Sequence, residues 1–130
     1  MKDRIKTYVS SIVKYCEDIV EIQKSFNVDY EVYINNRGYQ YAISFCLEQI
    51  GELAKKLRDS GFATQYPAIP WNDIAGLRNR IAHGYDTIDL EMVFDISVSD
   101  IPDLLVYGKS ILLQMDDASE LQVQDEREQE

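Results

Sequence analysis

Two long stretches of this chain return apolar residues at intervals of three and four, and that period decides what the chain can fold into. Ile5, Tyr8, Val9, Ile12, Val13, Cys16, Ile19, Val20 and Gln23 fall on one side of a 3.6-residue helix, which predicts a first helix over about residues 3–25 with one apolar face. Tyr39, Ala42, Ile43, Cys46, Leu47, Ile50, Leu53, Ala54 and Leu57 repeat the period and predict a second over about 36–58. Gly51 inside it costs about 1 kcal/mol of helix propensity, which points to close approach of another helix at that position. Residues 25–35, with polar breaks and the mixed run Asp29-Tyr30-Glu31-Val32-Tyr33, read as a loop with room for one helical turn.

The second half is punctuated more often. Asp59-Ser60-Gly61 stops the second helix, and Pro67 and Pro70 keep residues 62–69 from being helical. Pro70 suits a helix start, so a third helix runs from near Trp71 to His83, closed by Gly84. Asp89, or Thr87 before it, caps a short helix over 90–96; Ser99 or Asp100 with Pro102 starts a last helix reaching about Met115. The β-branched runs all sit in helical period, so no strand is predicted. The expected fold class is all-α, an up-and-down bundle of four to five helices in one domain over residues 1–115. Residues 116–130 are expected to form a disordered or frayed acidic tail.

Charge and cysteines narrow the function classes. The net charge of −10 argues against tight, non-specific binding to long nucleic-acid duplexes, which rests on neutralising phosphates with Lys and Arg. The tail holds seven acidic groups against Arg127, so six of the ten net charges fall there and four on the body. Within the body Lys55, Lys56, Arg58, Arg78 and Arg80 are a candidate local patch, though ordinary solvated helix faces account for them equally well. Cys16 and Cys46 sit among apolar residues and read as buried free thiols, which fits a reducing cytosol. No export signal and no run of 18 apolar residues is present, so the expected location is cytoplasmic, with no membrane span. Neither a P-loop nor a Cys/His metal spacing occurs, and no cofactor or metal is expected.

Most of the groups able to do chemistry lie in Arg78-Asn79-Arg80-Ile81-Ala82-His83-Gly84-Tyr85, which contains the chain's single histidine. One reading has His83 handling protons near neutral pH while Arg78 grips a phosphate or other anion in its planar fork. The other has the last turn of a surface helix, with His83 near its C-terminal end and Gly84 as a left-handed cap. Resemblance separates them. Arg, four residues, His, one residue, Tyr resembles the signature of the HEPN ribonucleases, in the subgroup of HepT-like toxins. The run Tyr66-Pro67-Ala68-Ile69-Pro70-Trp71-Asn72-Asp73-Ile74-Ala75-Gly76-Leu77 leads into the motif as that subgroup's Pro-Trp helix start does. Ile88-Asp89-Leu90-Glu91-Met92-Val93-Phe94-Asp95-Ile96 and Asp100-Ile101-Pro102-Asp103-Leu104 follow it similarly. Leu47-Glu48-Gln49-Ile50-Gly51-Glu52-Leu53-Ala54 is similar to the family's Ile-Gly-Glu-Ala helix. Leu53 and Phe94 depart from the usual alanine and tryptophan; the likeness spans roughly residues 1–115.

The resemblance implies a HEPN-like bundle, a metal-independent endoribonuclease, a homodimer, and a nucleotidyltransferase antitoxin of the MNT type as partner. It also implies that Tyr85 is the residue that antitoxin adenylylates. On a helix turning about 100° per residue, Arg78 and His83 point about 140° apart, whereas Asn79 and His83 share a face. A two-fold axis that brings two copies of this helix together lets both pairs line one cleft. RNA cleavage without metal asks for a base at the 2′-OH, an acid at the leaving 5′-oxygen and a cation on the phosphorane. His83 is assigned proton transfer, Arg78 the scissile phosphate and Asn79 the orientation of His83 or the RNA. Arg80 contacts the RNA backbone or merely solvates the helix. Glu48 and Glu52, four apart, read as surface or packing carboxylates rather than an acid pair or metal ligands. Trp71 reads as a core anchor rather than a base-stacking platform. The alternative function is a non-catalytic helical module that binds and regulates a nucleotidyltransferase.

Overall fold

The apolar stripe of the first stretch becomes α1 (Lys2–Ser25), which buries Ile5, Val9, Ile12, Cys16 and Ile19. The second stretch becomes α3 (Arg37–Asp59), which buries Tyr39, Ile43, Leu47, Ile50, Ala54 and Leu57 against it. Each such Ile or Leu removed from water contributes on the order of 1.5–3 kcal/mol, so this seam dominates the bundle's stability. The computed structural model describes residues 2–82 and 89–128, with residues 2, 82 and 119–128 as backbone only. The fold is all-α, and no strand occurs among the described residues.

Asn36 caps α3 through its side chain, which accepts from the Tyr39 N–H at 3.0 Å. The loop expected before it contains a five-residue helix, α2 (Tyr30–Ile34), capped by Asp29 through the Val32 N–H. Two residues with positive φ, Asn27 and Val28, end α1, and the Val28 N–H reaches back to the Gln23 carbonyl at 2.8 Å. Behind α2 an aromatic cluster closes that end of the bundle, with Phe26 stacked on Tyr39 and both Tyr39 and Phe94 against Tyr33. A buried polar chain crosses the same region. The Tyr39 hydroxyl donates to Gln23 Oε1, Gln23 Nε2 donates to Ser97 Oγ, and Ser97 Oγ donates to the Phe94 carbonyl, so each member has a partner.

The second half departs further from the periodic reading. A 3₁₀ turn (Phe62–Gln65) precedes the expected third helix, which is two pieces, α4 (Trp71–Ala75) and α5 (Leu77–Ala82), joined at Gly76. Asp89 is the cap of α6 (Leu90–Asp95), accepting from the Met92 N–H at 3.0 Å. No new start separates α6 from α7 (Ile101–Glu128); a π-helical turn (Ile96–Asp100) joins them. Pro102 has no N–H to give the carbonyl four residues back, so the ladder widens before it. The helix of α7 also continues well past Met115, through a stretch whose Glu120, Leu121, Gln122, Gln124, Glu126 and Glu128 favour helix. Lys6 Nζ meets Asp116 at 2.6 Å, which ties the start of the acidic stretch to α1. Cys16 and Cys46 are free and buried at the α1–α3 seam; burial pushes the Cys16 thiol up to about 12 and the Cys46 thiol to about 11. No described helix is long and apolar enough to cross a membrane.

Candidate active site

The motif begins on α5, a helix of six residues held by two core contacts. Leu77 and Ile81 are buried, and Arg78, Asn79 and Arg80 between them are exposed. With about 100° between residues, the two arginines flank the buried edge on opposite sides, and Asn79 faces straight out. Their neighbours differ accordingly.

Arg78 lies on the α3 side. Gly51 is where α3 and the α4–α5 junction touch: a Cβ there would stand 3.0 Å from the Ile74 carbonyl oxygen and 3.1 Å from the Arg78 nitrogen. The close approach expected of Gly51 is therefore made by the motif helix itself. The next residue, Glu52, sets its Oε1 at 2.7 Å from Arg78 Nε, with the arginine side chain still 54% exposed. One turn back, Glu48 Oε1 is buried with no hydrogen-bond partner among the described residues. Burial pushes the Glu48 carboxyl above its ordinary value, and Arg78 pulls it partly back. Both glutamates thus sit as surface or packing carboxylates on the α3 flank of the motif, and Glu52 pairs with the motif arginine.

Arg80 lies on the α6 side, where its Nη2 is 2.9 Å from Met92 Sδ. There it lines the rim of a cleft of about 640 Å³ between α4–α5 and the α6–α7 arm. Ile74, Leu77 and Leu104 are among the apolar residues of that cleft, and Asp73, Asp100 and Asp103 line it together with Arg80. This cleft does not include Arg78, and its charge is unfavourable to phosphate. Nor do the basic residues share partners: Arg58 pairs with Asp59 and reaches Asn72, and Lys56 lies over the Tyr8 ring. Trp71 is buried with its indole N–H on the Tyr66 carbonyl at 3.0 Å, the arrangement of a core anchor.

His83 and Gly84, read for proton transfer and capping, and Tyr85, for which the resemblance implies adenylylation, lie outside the described residues. Among the described residues no group of three or more His, Cys, Asp or Glu side chains is gathered as a metal site.

A family model described as ribonuclease HepT-like matches residues 12–111, a span that includes the second half of α1, all of α3 and the whole motif. The chain belongs to the HepT-like ribonuclease family. It is thereby a ribonuclease, and as a HepT-like one an endoribonuclease. Similar proteins include two from Methanocaldococcus jannaschii, named "Putative RNase MJ1216" and "Putative RNase MJ0125". Each is 36% identical over 103 residues, which cover 79% of this chain and 83% and 86% of the respective relatives. A third, "Probable ribonuclease HepT" of Thermococcus cleftensis, is 30% identical over 104 residues, covering 80% of this chain and 92% of its own. No solved structure matches the chain.

Proposed function

We propose that this HepT-like ribonuclease is the toxin of a toxin–antitoxin pair, cleaving RNA without metal through Arg78 and His83. The observation that carries the reading is the state of Arg78: engaged at Nε by Glu52 yet more than half exposed, it keeps guanidinium donors for a phosphate. His83 takes the 2′-OH proton or protonates the leaving 5′-oxygen, Arg78 stabilises the charge of the phosphorane, and Asn79 orients His83 or the RNA. Arg80 contributes at most a contact to the RNA backbone. In a homodimer with α5 near the two-fold axis, two histidines serve one cleft, which supplies both a base and an acid. With the 2′-OH as nucleophile, the O2′–P bond forms as the P–O5′ bond breaks, and the product ends in a 2′,3′-cyclic phosphate.

The same reading makes Tyr85 the target of an MNT-type nucleotidyltransferase antitoxin in the cytoplasm. An adenylate on its phenol carries a phosphodiester with one negative charge, able to occupy Arg78 and to exclude RNA by bulk and repulsion. The test is cleavage of single-stranded RNA by purified protein in EDTA, beside His83→Ala, with the product ends identified. Full activity in EDTA, loss in His83→Ala and cyclic-phosphate ends are expected; activity that vanishes with the chelator or survives the substitution contradicts the roles. Co-expression with the antitoxin is expected to add adenylate increments to the intact mass that map to Tyr85. Undiminished inhibition of Tyr85→Phe would replace adenylylation by plain occlusion.

A further inference from the structure

We infer that Glu52 is a positioning residue for Arg78, fixing the guanidinium by its Nε side so that its Nη groups are presented to the scissile phosphate. This rests on the phosphate-gripping role proposed for Arg78. Two consecutive residues of α3 define where that arginine stands. Gly51 lets the α3 backbone come against the Arg78 nitrogen, where a Cβ would already be 3.1 Å away, and Glu52 then takes the far end of the same side chain at 2.7 Å. Arg78 is thereby referenced to one turn of a long, well-packed helix at both its backbone and its guanidinium, although α5 itself has only six residues. Without the second point, a long side chain that is 54% exposed samples several rotamers.

The atom engaged also distinguishes holding from blocking. A carboxylate standing in for the phosphate would close on the Nη pair; Glu52 is nearest to Nε, which leaves the Nη donors able to bind an anion. Glu48, one turn back, has a buried oxygen without a hydrogen-bond partner among the described residues; burial raises its carboxyl and Arg78 partly lowers it.

The test is steady-state cleavage of a short fluorescent RNA by Glu52→Ala, Glu52→Gln and Glu52→Asp, alone and in an Arg78→Lys background. Glu52→Ala is expected to lower kcat by about 10- to 100-fold with KM within about threefold, the pattern of a misplaced group. Glu52→Gln, which keeps an oxygen facing Nε without the charge, is expected to recover part of the loss, and it serves as the folded reference if the alanine variant unfolds. In the Arg78→Lys background the Glu52 substitutions are expected to add nothing further. Wild-type kcat in both Glu52→Ala and Glu52→Gln, a gain of activity, or full additivity with Arg78→Lys overturns the inference. If Arg78→Ala itself leaves cleavage intact, it is the proposed role of Arg78 that fails.

Discussion

The two flanks of α5 carry the same residue type two positions apart and place it in opposed surroundings. On one flank Arg78 stands against α3, with Glu52 on its Nε and a buried Glu48 oxygen that has no hydrogen-bond partner among the described residues. On the other, Arg80 rests on the sulfur of Met92 at the rim of a largely apolar cleft with three aspartates. The first arginine is held by a specific ionic partner; the second has a soft contact and surroundings that repel phosphate. A basic residue in a motif is therefore not by itself a phosphate site. What surrounds its guanidinium decides, and here only the α3 flank supplies an ionic hold on the arginine.

The largest effect that would break this contrast is on the α3 flank. Arg78→Ala is expected to lower kcat by about 100- to 1,000-fold, the usual loss when one stabiliser of transition-state charge is removed. Arg78→Lys is expected to recover little, because an ammonium lacks the planar fork that faces Glu52 on one side and a phosphate on the other. Steady-state kinetics with folded, monodisperse variants decide it. Gly51→Ala comes next. Its Cβ would press on backbone atoms at 3.0 and 3.1 Å, so the helix-propensity gain of up to about 1 kcal/mol is expected to be outweighed by an overpacking cost of about 1–3 kcal/mol. Thermal unfolding should show a loss of about 3–8 °C together with reduced cleavage.

Arg80→Ala sharpens the contrast from the other side, with an expected change in kcat/KM of no more than about threefold, since a surface cation in a cleft lined by three carboxylates contributes little to phosphate binding. A loss as large as that of Arg78→Ala would erase the distinction between the flanks. The smallest effect concerns Glu48. Its carboxyl is raised by burial, with Arg78 opposing, so the folded state holds the proton to higher pH than the unfolded chain does. Its contribution to stability is then fully present below the ordinary value of 4.5 and lost as the pH rises above it. Glu48→Gln, which has no charge to bury, should therefore match wild type near pH 4 and melt higher than wild type at pH 8. Equal melting shifts at both values would contradict this.

Much of this arrangement was legible in the residues before any coordinates. The period of three and four places α1 and α3 within a residue or two of where they stand, because long amphipathic helices are set by a pattern repeated over many turns. Gly51 likewise announced a close helix contact, since a glycine inside such a pattern costs stability unless something needs the space. The division of the third helix at Gly76 and the π-helical join before Pro102 were not legible, because each reflects how short segments settle on the core rather than their own periodicity. The pairing of Glu52 with Arg78 was hidden for a related reason. Two residues 26 positions apart meet only because Gly51 lets their backbones touch, and sequence spacing within α3 alone assigned Glu52 to packing in general. Opposite flanks for Arg78 and Arg80 follow from helical geometry once α5 exists, yet which flank faces a carboxylate and which a thioether is a matter of tertiary placement.

The claim that the α3 flank is the phosphate side can be read atom by atom. Arginine side-chain Nε–H signals in ¹⁵N–¹H spectra, assigned with Arg78→Lys and Arg80→Lys, would be followed while a short single-stranded RNA with a 2′-deoxy sugar at the cleavage position is titrated in EDTA. A saturable shift of the Arg78 Nε–H signal, with the Arg80 signal stationary, is the predicted result; movement of Arg80 with Arg78 unchanged would contradict it.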